Sequence, residues 1–231
     1  MYAGPGSFDD EAVPLDLLTD FLTAAVHLIL KCRRVYPPEV FERRRFLDVL
    51  VYRSRSRPLT EYISLVVSGA RHLLERGEAD ALIVSLLGAP DASSSSGVQP
   101  RVVERFRFEI QQRADLSRRA RVDALRAELQ GFLLKLSFCE HLLAPLPADV
   151  AAGGLSFRLE MHSAPTRSGD PLPPELGVWV ECDQRAELGG VTASVVTPLK
   201  SMHSDVVSMQ LMVQQEGGGQ AIGASADGRR S

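Results

Sequence analysis

The sequence predicts an α+β protein in which three main helices pack on one mainly antiparallel sheet. Three long stretches repeat apolar residues every three or four positions, which is the spacing of a helix face. Several shorter stretches alternate apolar and polar residues as half-buried strands do, and these crowd into the last third of the chain. This order of elements is typical of one sheet lying on helices.

The stretch from Arg121 to Leu143 is the predicted centre of the core. Its first half carries one apolar stripe, Val122, Leu125 and Leu129, and leaves polar residues for solvent. From Phe132 onward apolar residues point in nearly every direction, and a helix that is apolar all round has to be covered on several sides. We therefore predict a buried structural helix with no solvent face that could carry a catalytic group.

Two further helices are predicted before this one. Apolar residues repeat on one broad face between Pro14 and Arg34, and the proline pair that follows ends the helix. Glu39 to Arg45 is predicted as a further helical turn or two, and Leu47 to Arg53 as an extended segment. Ser56 to Gly77 begins with a possible capping serine and an early proline, and it stops at a glycine. Its predicted buried stripe comprises Leu59, Tyr62, Ile63, Val66, Val67, Ala70, Leu73 and Leu74.

The predicted strands are short apolar runs or alternating segments. Ala81 to Leu87 and Val102 to Gln112 flank a serine-rich insert and are predicted to pair as a long-looped hairpin. The clearest alternation runs from Leu155 to Met161. The remaining candidate strands are Leu176 to Cys182, which carries the only tryptophan, Trp179, then Val191 to Thr197 and Val207 to Val213.

Composition limits the class of protein. With 231 residues, of which 45% are hydrophobic, the chain suits one large domain or two small ones. A formal net charge of -3 argues against a protein that binds nucleic acid through a strongly basic surface. The acidic leader is no secretory signal, and the uncharged run Phe21 to Leu30 is about half of what a bilayer crossing needs. We predict a soluble, intracellular protein with no membrane partner and with Cys32, Cys139 and Cys182 as unpaired thiols.

The sequence carries no recognisable pattern for catalysis, metal binding or cofactor binding. The five histidines fall in separate elements, and no cysteine or histidine pair has metal-ligand spacing. His27 lies inside the first helix and is predicted to be an ordinary interior histidine. His203, Ser204 and Asp205 are adjacent, but neighbours on a strand point to opposite faces, so no triad is predicted. We expect no enzyme activity, no metal and no cofactor.

The only concentrated basic region surrounds Arg43, Arg44 and Arg45. From the sequence, a solvated, charge-balanced surface and a surface that contacts phosphates or an acidic partner both remain open. Aromatic residues are not interleaved here in the pattern that favours single-stranded nucleic acid. A direct DNA-binding module that uses these arginines is therefore a rival hypothesis, which the acidic net charge disfavours.

Several segments resemble one known family, in the same order and at comparable spacing across residues 13–215. The most specific are FLTAAVHLILKCRRVYPPEVFERR, from Phe21 to Arg44, and TPLKSMHSDVVSMQLMV, from Thr197 to Val213. They resemble the HORMA-domain family, in particular the mitotic-arrest-deficient-like branch that serves as the accessory, or processivity, subunit of DNA polymerase zeta. The intervening matches are Leu59 to Ile63, Phe106 to Ile110, Phe132 to Leu143 and Trp179.

The resemblance implies a HORMA-like domain over residues 13–215, with a flexible insert at 88–100, a disordered leader at 1–12 and a disordered tail at 216–231. It also implies a C-terminal safety-belt segment that closes around an extended, proline-containing peptide of the polymerase's catalytic subunit. Tyr62 and Trp179 match the aromatic positions that receive this peptide. The implied function is that of a non-catalytic adaptor in translesion DNA synthesis.

A second surface of the family docks a Y-family scaffold polymerase. Val196 and Gln210 match positions there, and Met212 stands on the same surface where relatives place an aromatic residue. On the family's self-association surface Lys135 matches, whereas Gln130 replaces an arginine, so homodimerisation has less support. The resemblance further implies residence in the nucleus, with the cytoplasm also open, and no direct contact with nucleic acid. Remodelling by an AAA-type ATPase stays open, and a spindle-checkpoint or meiotic-axis HORMA signalling protein is the alternative function.

Overall fold

The computed structural model describes residues 11–89, 100–116, 120–147, 150, 154–163, 179 and 194–216. Within these ranges, helices form one layer and a five-stranded antiparallel sheet forms the other, which confirms the predicted α+β layout. The helices are α1 (Pro14–Cys32), α2 (Arg57–Glu75), α3 (Asp123–Ser137) and the single-turn α4 (Cys139–Leu142). The strands are β1 (Glu11–Ala12), β2 (Phe41–Phe46), β3 (Val49–Ser54), β4 (Ala79–Gly88), β5 (Arg101–Gln112), β6 (Ala120–Arg121), β7 (Ser156–Ser163), β8 (Ser194–His203) and β9 (Val207–Glu216).

The sheet has the strand order β7-β4-β5-β9-β8, and every neighbouring pair is antiparallel. The predicted hairpin of β4 and β5 is confirmed. Alternation along β9 places four apolar side chains in the core, as predicted, because successive residues of a strand point to opposite faces. These four are Val207, Met209, Leu211 and Val213. β7 and β8 are the two edge strands.

Among the helices, α1 is more deeply buried than the predicted central helix. It packs against α2 and α3, and the ring of Phe21 meets Phe108 of the sheet and Phe132 of α3 edge to face at centroid distances of 6.1 and 6.0 Å. Such edge-to-face pairs add to the stability gained from burial. The core therefore lies where α1 joins the sheet to α3.

The central stretch from Arg121 to Leu143 is neither continuous nor buried on all sides. It divides at Phe138, whose φ of -103° and ψ of 6° are not helical, into α3 and α4. Leu134, Phe138 and Leu142 are exposed, and Phe138 retains 59% of its accessible surface. The prediction that no solvent face remains is wrong, because the sheet and α1 cover only the side formed by Leu125, Leu129, Phe132, Leu133 and Leu136.

The prediction of further helical turns over Glu39 to Arg45 is also wrong. A single 3-10 turn, Pro38–Val40, leads directly into β2, which pairs with β3. The chain reverses at Leu47 and Asp48, whose φ angles of 48° and 58° have the positive sign that a two-residue type I′ hairpin turn requires. The arginine run has no apolar stripe to bury as a helix, whereas pairing with the apolar β3 satisfies its backbone.

Other predicted features agree with the structure. Gly77, after α2, has a φ of 67°, the left-handed conformation in which glycine ends a helix. Ser56 occupies the N-cap position, but its side chain makes no capping hydrogen bond. Cys32 and Cys139 are free, buried thiols, and a hydrogen bond between them together with burial raises the pKa of Cys139. Cys182 lies outside the described residues.

The predicted domain bounds can be compared with the structure only where residues are described. Glu11–Ala12 pairs with Ala120–Arg121, so ordered pairing begins two residues before the predicted start of the domain. The bounds 13–215, the insert 88–100 and the tail 216–231 otherwise remain predictions. Among the described helices, none combines the length and apolar character of a membrane span.

Two of the buried ionisable side chains, His27 and Glu104, have strongly shifted pKa values. His27 accepts a hydrogen bond at Nδ1 from the backbone N–H of Ser54 over 3.4 Å, while its Nε2 has no partner among the described residues. Burial, with the nearby positive charge of Arg53 as the second cause, lowers the pKa of His27 to about 4. Glu104 forms a buried ion pair with Arg33, yet burial raises the pKa of Glu104 to about 7.

These two groups give opposite dependences of stability on pH. The contribution of His27 is complete above its ordinary pKa of 6.5 and is lost as the pH falls towards 4. That of Glu104 is complete below its ordinary pKa of 4.5 and is lost as the pH rises towards 7. Each shift changes the free energy of unfolding by at most about 1.4 kcal/mol per pH unit.

As the pH increases from 5 to 7, we expect the free energy of unfolding of Glu104→Gln to rise more steeply than that of the wild type. Over the same range we expect the free energy of unfolding of His27→Gln to fall more steeply than that of the wild type. Removing one group leaves the opposing dependence of the other unbalanced. Urea unfolding at pH 5, 6 and 7 measures both slopes. Parallel curves for the wild type and both variants would contradict the two assignments.

Candidate peptide-binding site

Strand β7 presents an unpaired backbone edge. It pairs with β4 on one side, and no strand lies on its other side among the described residues. An edge strand exposes a row of N–H and C=O groups that an extended segment of another chain can join as an added strand. Over its eight residues β7 is long enough to bind several peptide residues in register.

Three aromatic rings cluster beside this edge. Phe157 of β7 lies between Tyr36, 6.3 Å away between ring centroids, and Tyr62 of α2, 5.8 Å away, and both contacts are edge to face. The Tyr62 hydroxyl lies close to the backbone of Leu159 on β7. Burial is the main cause that raises the pKa of both tyrosines, so the phenols stay neutral. The cluster offers an apolar surface with polar rims next to the free edge.

Tyr62 does not belong to the buried stripe of α2, contrary to the prediction from periodicity. The stripe consists of Leu59, Ile63, Val66, Val67, Ala70 and Leu74, whereas Leu73 is only half-buried and 41% of Tyr62 is exposed. Tyr62 lies one position to the side of this stripe, where the helix meets β7. The side chain therefore lies at the helix edge, which is where a groove-lining ring has to be.

Trp179 is described by the structure although most of the residues around it are not. It lies outside helices and strands, is half-buried and packs against the core cluster. Its indole Nε1 is buried without a hydrogen-bond partner among the described residues. Buried tryptophan N–H groups usually find an acceptor, so the described residues leave one hydrogen bond of this side chain to be completed. The predicted strand Leu176 to Cys182 otherwise lies outside the described residues.

The three residues predicted to meet a second partner share the outer face of the sheet. Gln210 and Met212 alternate with the core-facing residues of β9, and Val196 of β8 pairs with Gln214, which has the same parity. Val196 is 54% exposed, and Gln210 and Met212 are half-buried. This surface is on a different strand pair from the β7 edge, so both can be occupied together. Its role remains a prediction.

The predicted self-association residues lie on α3. Gln130 is half-buried and Lys135 is exposed. Next to Lys135, Leu134, Phe138 and Leu142 form an exposed apolar ridge at four-residue spacing, which the sequence prediction had placed in the core. An exposed ridge of this kind is typical of a surface that meets another protein.

The basic hairpin β2–β3 is partly charge-balanced. Arg43, Arg44 and Arg45 are all exposed. Arg44 pairs with Glu42, and Arg45 lies 3.2 Å from Asp48. These pairs favour the interpretation of a solvated surface over that of a nucleic-acid site.

The adjacent residues His203, Ser204 and Asp205 do not form a triad. His203 Nδ1 is 3.1 Å from Ser208 Oγ, and the Ser204 hydroxyl donates to the carbonyl of Val207 over 2.8 Å within a turn. Ser204 therefore has a structural hydrogen bond and no base beside it. Within the described ranges, histidine, cysteine, aspartate and glutamate do not form a group of three that could hold a metal ion.

The sequence interpretation missed Tyr36 and the position of Phe157. Tyr36 directly precedes the prolines that end α1, and an aromatic residue at a helix end beside a strand is a detectable signal. Phe157 had been counted as one apolar residue of an alternating strand. Its ring joins Tyr36 to Tyr62, which are 26 positions apart in sequence, so only the fold reveals the cluster.

Comparison with known proteins defines the class. The fold matches a chain of the crystal structure of the mitotic checkpoint complex with a TM-score of 0.66 at 19% identity, covering 87% of this chain and 97% of the other. It matches C. elegans HTP-2 bound to HTP-3 closure motif 1 with a TM-score of 0.63 at 10% identity, covering 87% and 85%. The chain therefore has the fold of HORMA-domain proteins.

Sequence comparison identifies the family within this class. No protein-family model matches the chain. The mitotic spindle assembly checkpoint protein MAD2B of Rattus norvegicus is 31% identical over 210 residues, which cover 88% of this chain and 91% of the relative. The DNA polymerase zeta processivity subunit of Arabidopsis thaliana is 28% identical over 197 residues, covering 85% and 83%. The chain belongs to the MAD2B family, to which the processivity subunit of DNA polymerase zeta also belongs.

Proposed function

We propose that this chain is a non-catalytic adaptor subunit of the DNA polymerase zeta complex in translesion synthesis. The observation that carries the proposal is the edge of β7 that no described strand covers, with the Tyr36, Phe157 and Tyr62 cluster beside it. An extended peptide of the catalytic subunit adds to β7 through backbone hydrogen bonds, and the rings cover its prolines. Trp179 contributes a fourth ring, and its indole N–H has no hydrogen-bond partner among the described residues.

One sequence relative and one structural neighbour support the proposal. One is called a DNA polymerase zeta processivity subunit, and HTP-2 was solved with a bound closure motif. Residence in the nucleus and docking of a Y-family polymerase on Val196, Gln210 and Met212 are further parts of the proposal. Their common outer face leaves the peptide edge accessible.

Backbone pairing is tested with N-methylated peptides. A calorimetric titration compares a proline-containing peptide of the catalytic subunit with versions that are methylated at one backbone amide at a time. We expect strong loss of affinity at every second position, because only alternate amides of an added strand face β7. Uniform small losses, or an unmodified peptide that does not bind, would contradict capture by β7.

A spindle-checkpoint role is the second candidate function, since relatives carry that name and a checkpoint complex shares the fold. Purification of the full chain from its own cells, followed by mass spectrometry, distinguishes the two. Recovery with polymerase subunits supports the first candidate. Recovery with a checkpoint activator, without polymerase subunits, supports the second.

The apolar ridge on α3 and α4 gives a prediction about self-association. If Leu134, Phe138 and Leu142 meet a second copy, Phe138→Asp should remove any concentration-dependent dimer, because a charge would be buried without a partner. Sedimentation velocity over a hundredfold range of concentration measures this. Tyr52→Asp, on the neighbouring hairpin, is the control. A dimer that survives Phe138→Asp would exclude the ridge as its interface.

A further inference from the structure

Four parts of the chain meet at a polar cluster that involves β5 and β9, which are two and three strands from β7 in the strand order. Arg33 follows α1, Glu104 lies near the start of β5, Ala144 follows α4, and Gln215 lies near the end of β9. Arg33 Nε donates to Glu104 Oε2 over 2.7 Å, and Arg33 Nη2 donates to the carbonyl of Ala144 over 3.0 Å. The side chains of the ion pair retain only 4% and 0% of their accessible surface.

Gln215 connects β9 to this cluster. Its Nε2 donates to the carbonyl of Ala144 over 3.0 Å, and its Oε1 accepts the N–H of Ala144 over 3.2 Å, so the amide satisfies both backbone groups of one residue. Gln215 is also the residue directly opposite Glu104 in the β5–β9 ladder. The hydrogen bonds of Gln215 in the cluster therefore depend on how β9 is aligned with β5.

Burial of these groups is better explained by specificity than by stability. A buried ion pair loses so much hydration that well-packed apolar residues of similar volume are often at least as stable. A slip of β9 by one residue would turn Gln215 to the outer face and place Gln214 inside, because side chains alternate. The slip would take the Gln215 amide away from both backbone groups of Ala144, while Arg33 would keep its bonds to Glu104 and to the Ala144 carbonyl. The cluster therefore disfavours that register.

Other attachments of the β8–β9 hairpin to its surroundings are more exposed. Lys200 of β8 lies 2.8 Å from Glu128 of α3, and Arg101 lies 2.6 Å from Glu216. All four of these side chains are partly exposed, and ion pairs in contact with water contribute little to stability. Compared with these two ion pairs, the cluster around Arg33 and Glu104 is much better shielded from water.

We infer that Arg33, Glu104, Gln215 and the backbone of Ala144 form a register lock, which positions the C-terminal hairpin on β5 and sets how slowly it detaches. The inference deepens the proposed function, on which its second part rests. If the C-terminal segment retains the partner peptide, detachment of this hairpin limits peptide release. Gln215 is then a positioning residue for retention, although it does not touch the peptide edge.

The test compares Gln215→Leu with Gln214→Leu, the neighbouring residue whose amide makes only an exposed hydrogen bond to Ser194. Gln215→Asn, which retains the amide but shortens its reach, is the second variant if Gln215→Leu does not fold. Hydrogen exchange of the β9 amides is measured without peptide. Association and dissociation rates of the peptide of the catalytic subunit are measured by surface plasmon resonance.

For Gln215→Leu we expect roughly tenfold faster exchange in β9 and roughly tenfold faster peptide dissociation, the effect of losing the two hydrogen bonds between the Gln215 amide and the backbone of Ala144. The association rate should change by less than about twofold, since affinity changes within one interface appear mainly in dissociation. Gln214→Leu should match the wild type in every measurement.

The outcomes separate the two proposals. If the wild type binds the peptide but Gln215→Leu matches Gln214→Leu in exchange and dissociation, the register lock is overturned. If the wild type does not bind the peptide, the proposed function fails, while the exchange rates of β9 still decide whether the lock exists. Faster exchange with unchanged dissociation would overturn the link to peptide retention.

Discussion

Arg33→Met is expected to destabilise the folded chain by about 3–5 kcal/mol, the cost of leaving one charge of a buried ion pair without its partner. Methionine fills much of the same space, so the loss is mainly electrostatic. Glu104 would remain buried with one carboxylate oxygen already unpartnered among the described residues. Urea unfolding at pH 7.5, above the pKa of about 7 that Glu104 has beside Arg33, measures the difference in the free energy of unfolding.

The control for this variant is the next residue along the chain. Arg34 also forms an ion pair, with Glu140 over 2.7 Å, but 76% of its side chain is exposed. Arg34→Met should change stability by less than about 1 kcal/mol. Equal effects of the two substitutions would show that the Arg33 pair behaves as a surface pair and would contradict its described burial.

Tyr62→Ala and Trp179→Ala are each expected to weaken binding of the catalytic-subunit peptide by about 1–3 kcal/mol, which is roughly 5- to 150-fold in affinity. An aromatic ring that covers a proline stabilises the complex mainly by burying apolar surface, and substitution by alanine removes that contact. Calorimetric titration measures the affinities. Circular dichroism verifies that each variant is folded.

Tyr52→Ala is the matched control, because Tyr52 is a half-buried ring on the β2–β3 hairpin, where Lys31 lies 4.4 Å from its ring centroid. Its affinity for the peptide should equal that of the wild type. Unchanged affinity in both Tyr62→Ala and Trp179→Ala would refute the assignment of these rings to the peptide site.

Local periodicity was enough to predict the elements that are buried on one face. The alternation in β9 and the apolar stripe of α2 are both visible within one continuous segment of sequence. The strand and the helix could therefore be recognised without knowledge of the fold. Glu39 to Arg45 has no such pattern, and its pairing with β3 decided its conformation. The prediction that Leu134 and Phe138 are buried was wrong, because apolar character does not show how many other elements pack against a helix.

The candidate site was predictable only in its named aromatic residues, and these came from the resemblance to a family. The free edge of β7 depends on strand order, which no single segment encodes. Glu104 did carry a signal, since it falls on the inner face of β5 with Phe106 and Phe108, where a charge needs a buried partner. That partner, Arg33, is 71 residues away in sequence and could not be identified from spacing.

The central claim, that β7 receives a partner's extended chain, is tested most directly by hydrogen exchange of the β7 amides in the presence and absence of the catalytic-subunit peptide. The account predicts that the peptide slows exchange at alternate amides between Ser156 and Ser163, those that face away from β4, and leaves β8 unchanged. Protection of β8 alone, or no protection of β7 at saturating peptide, would contradict it.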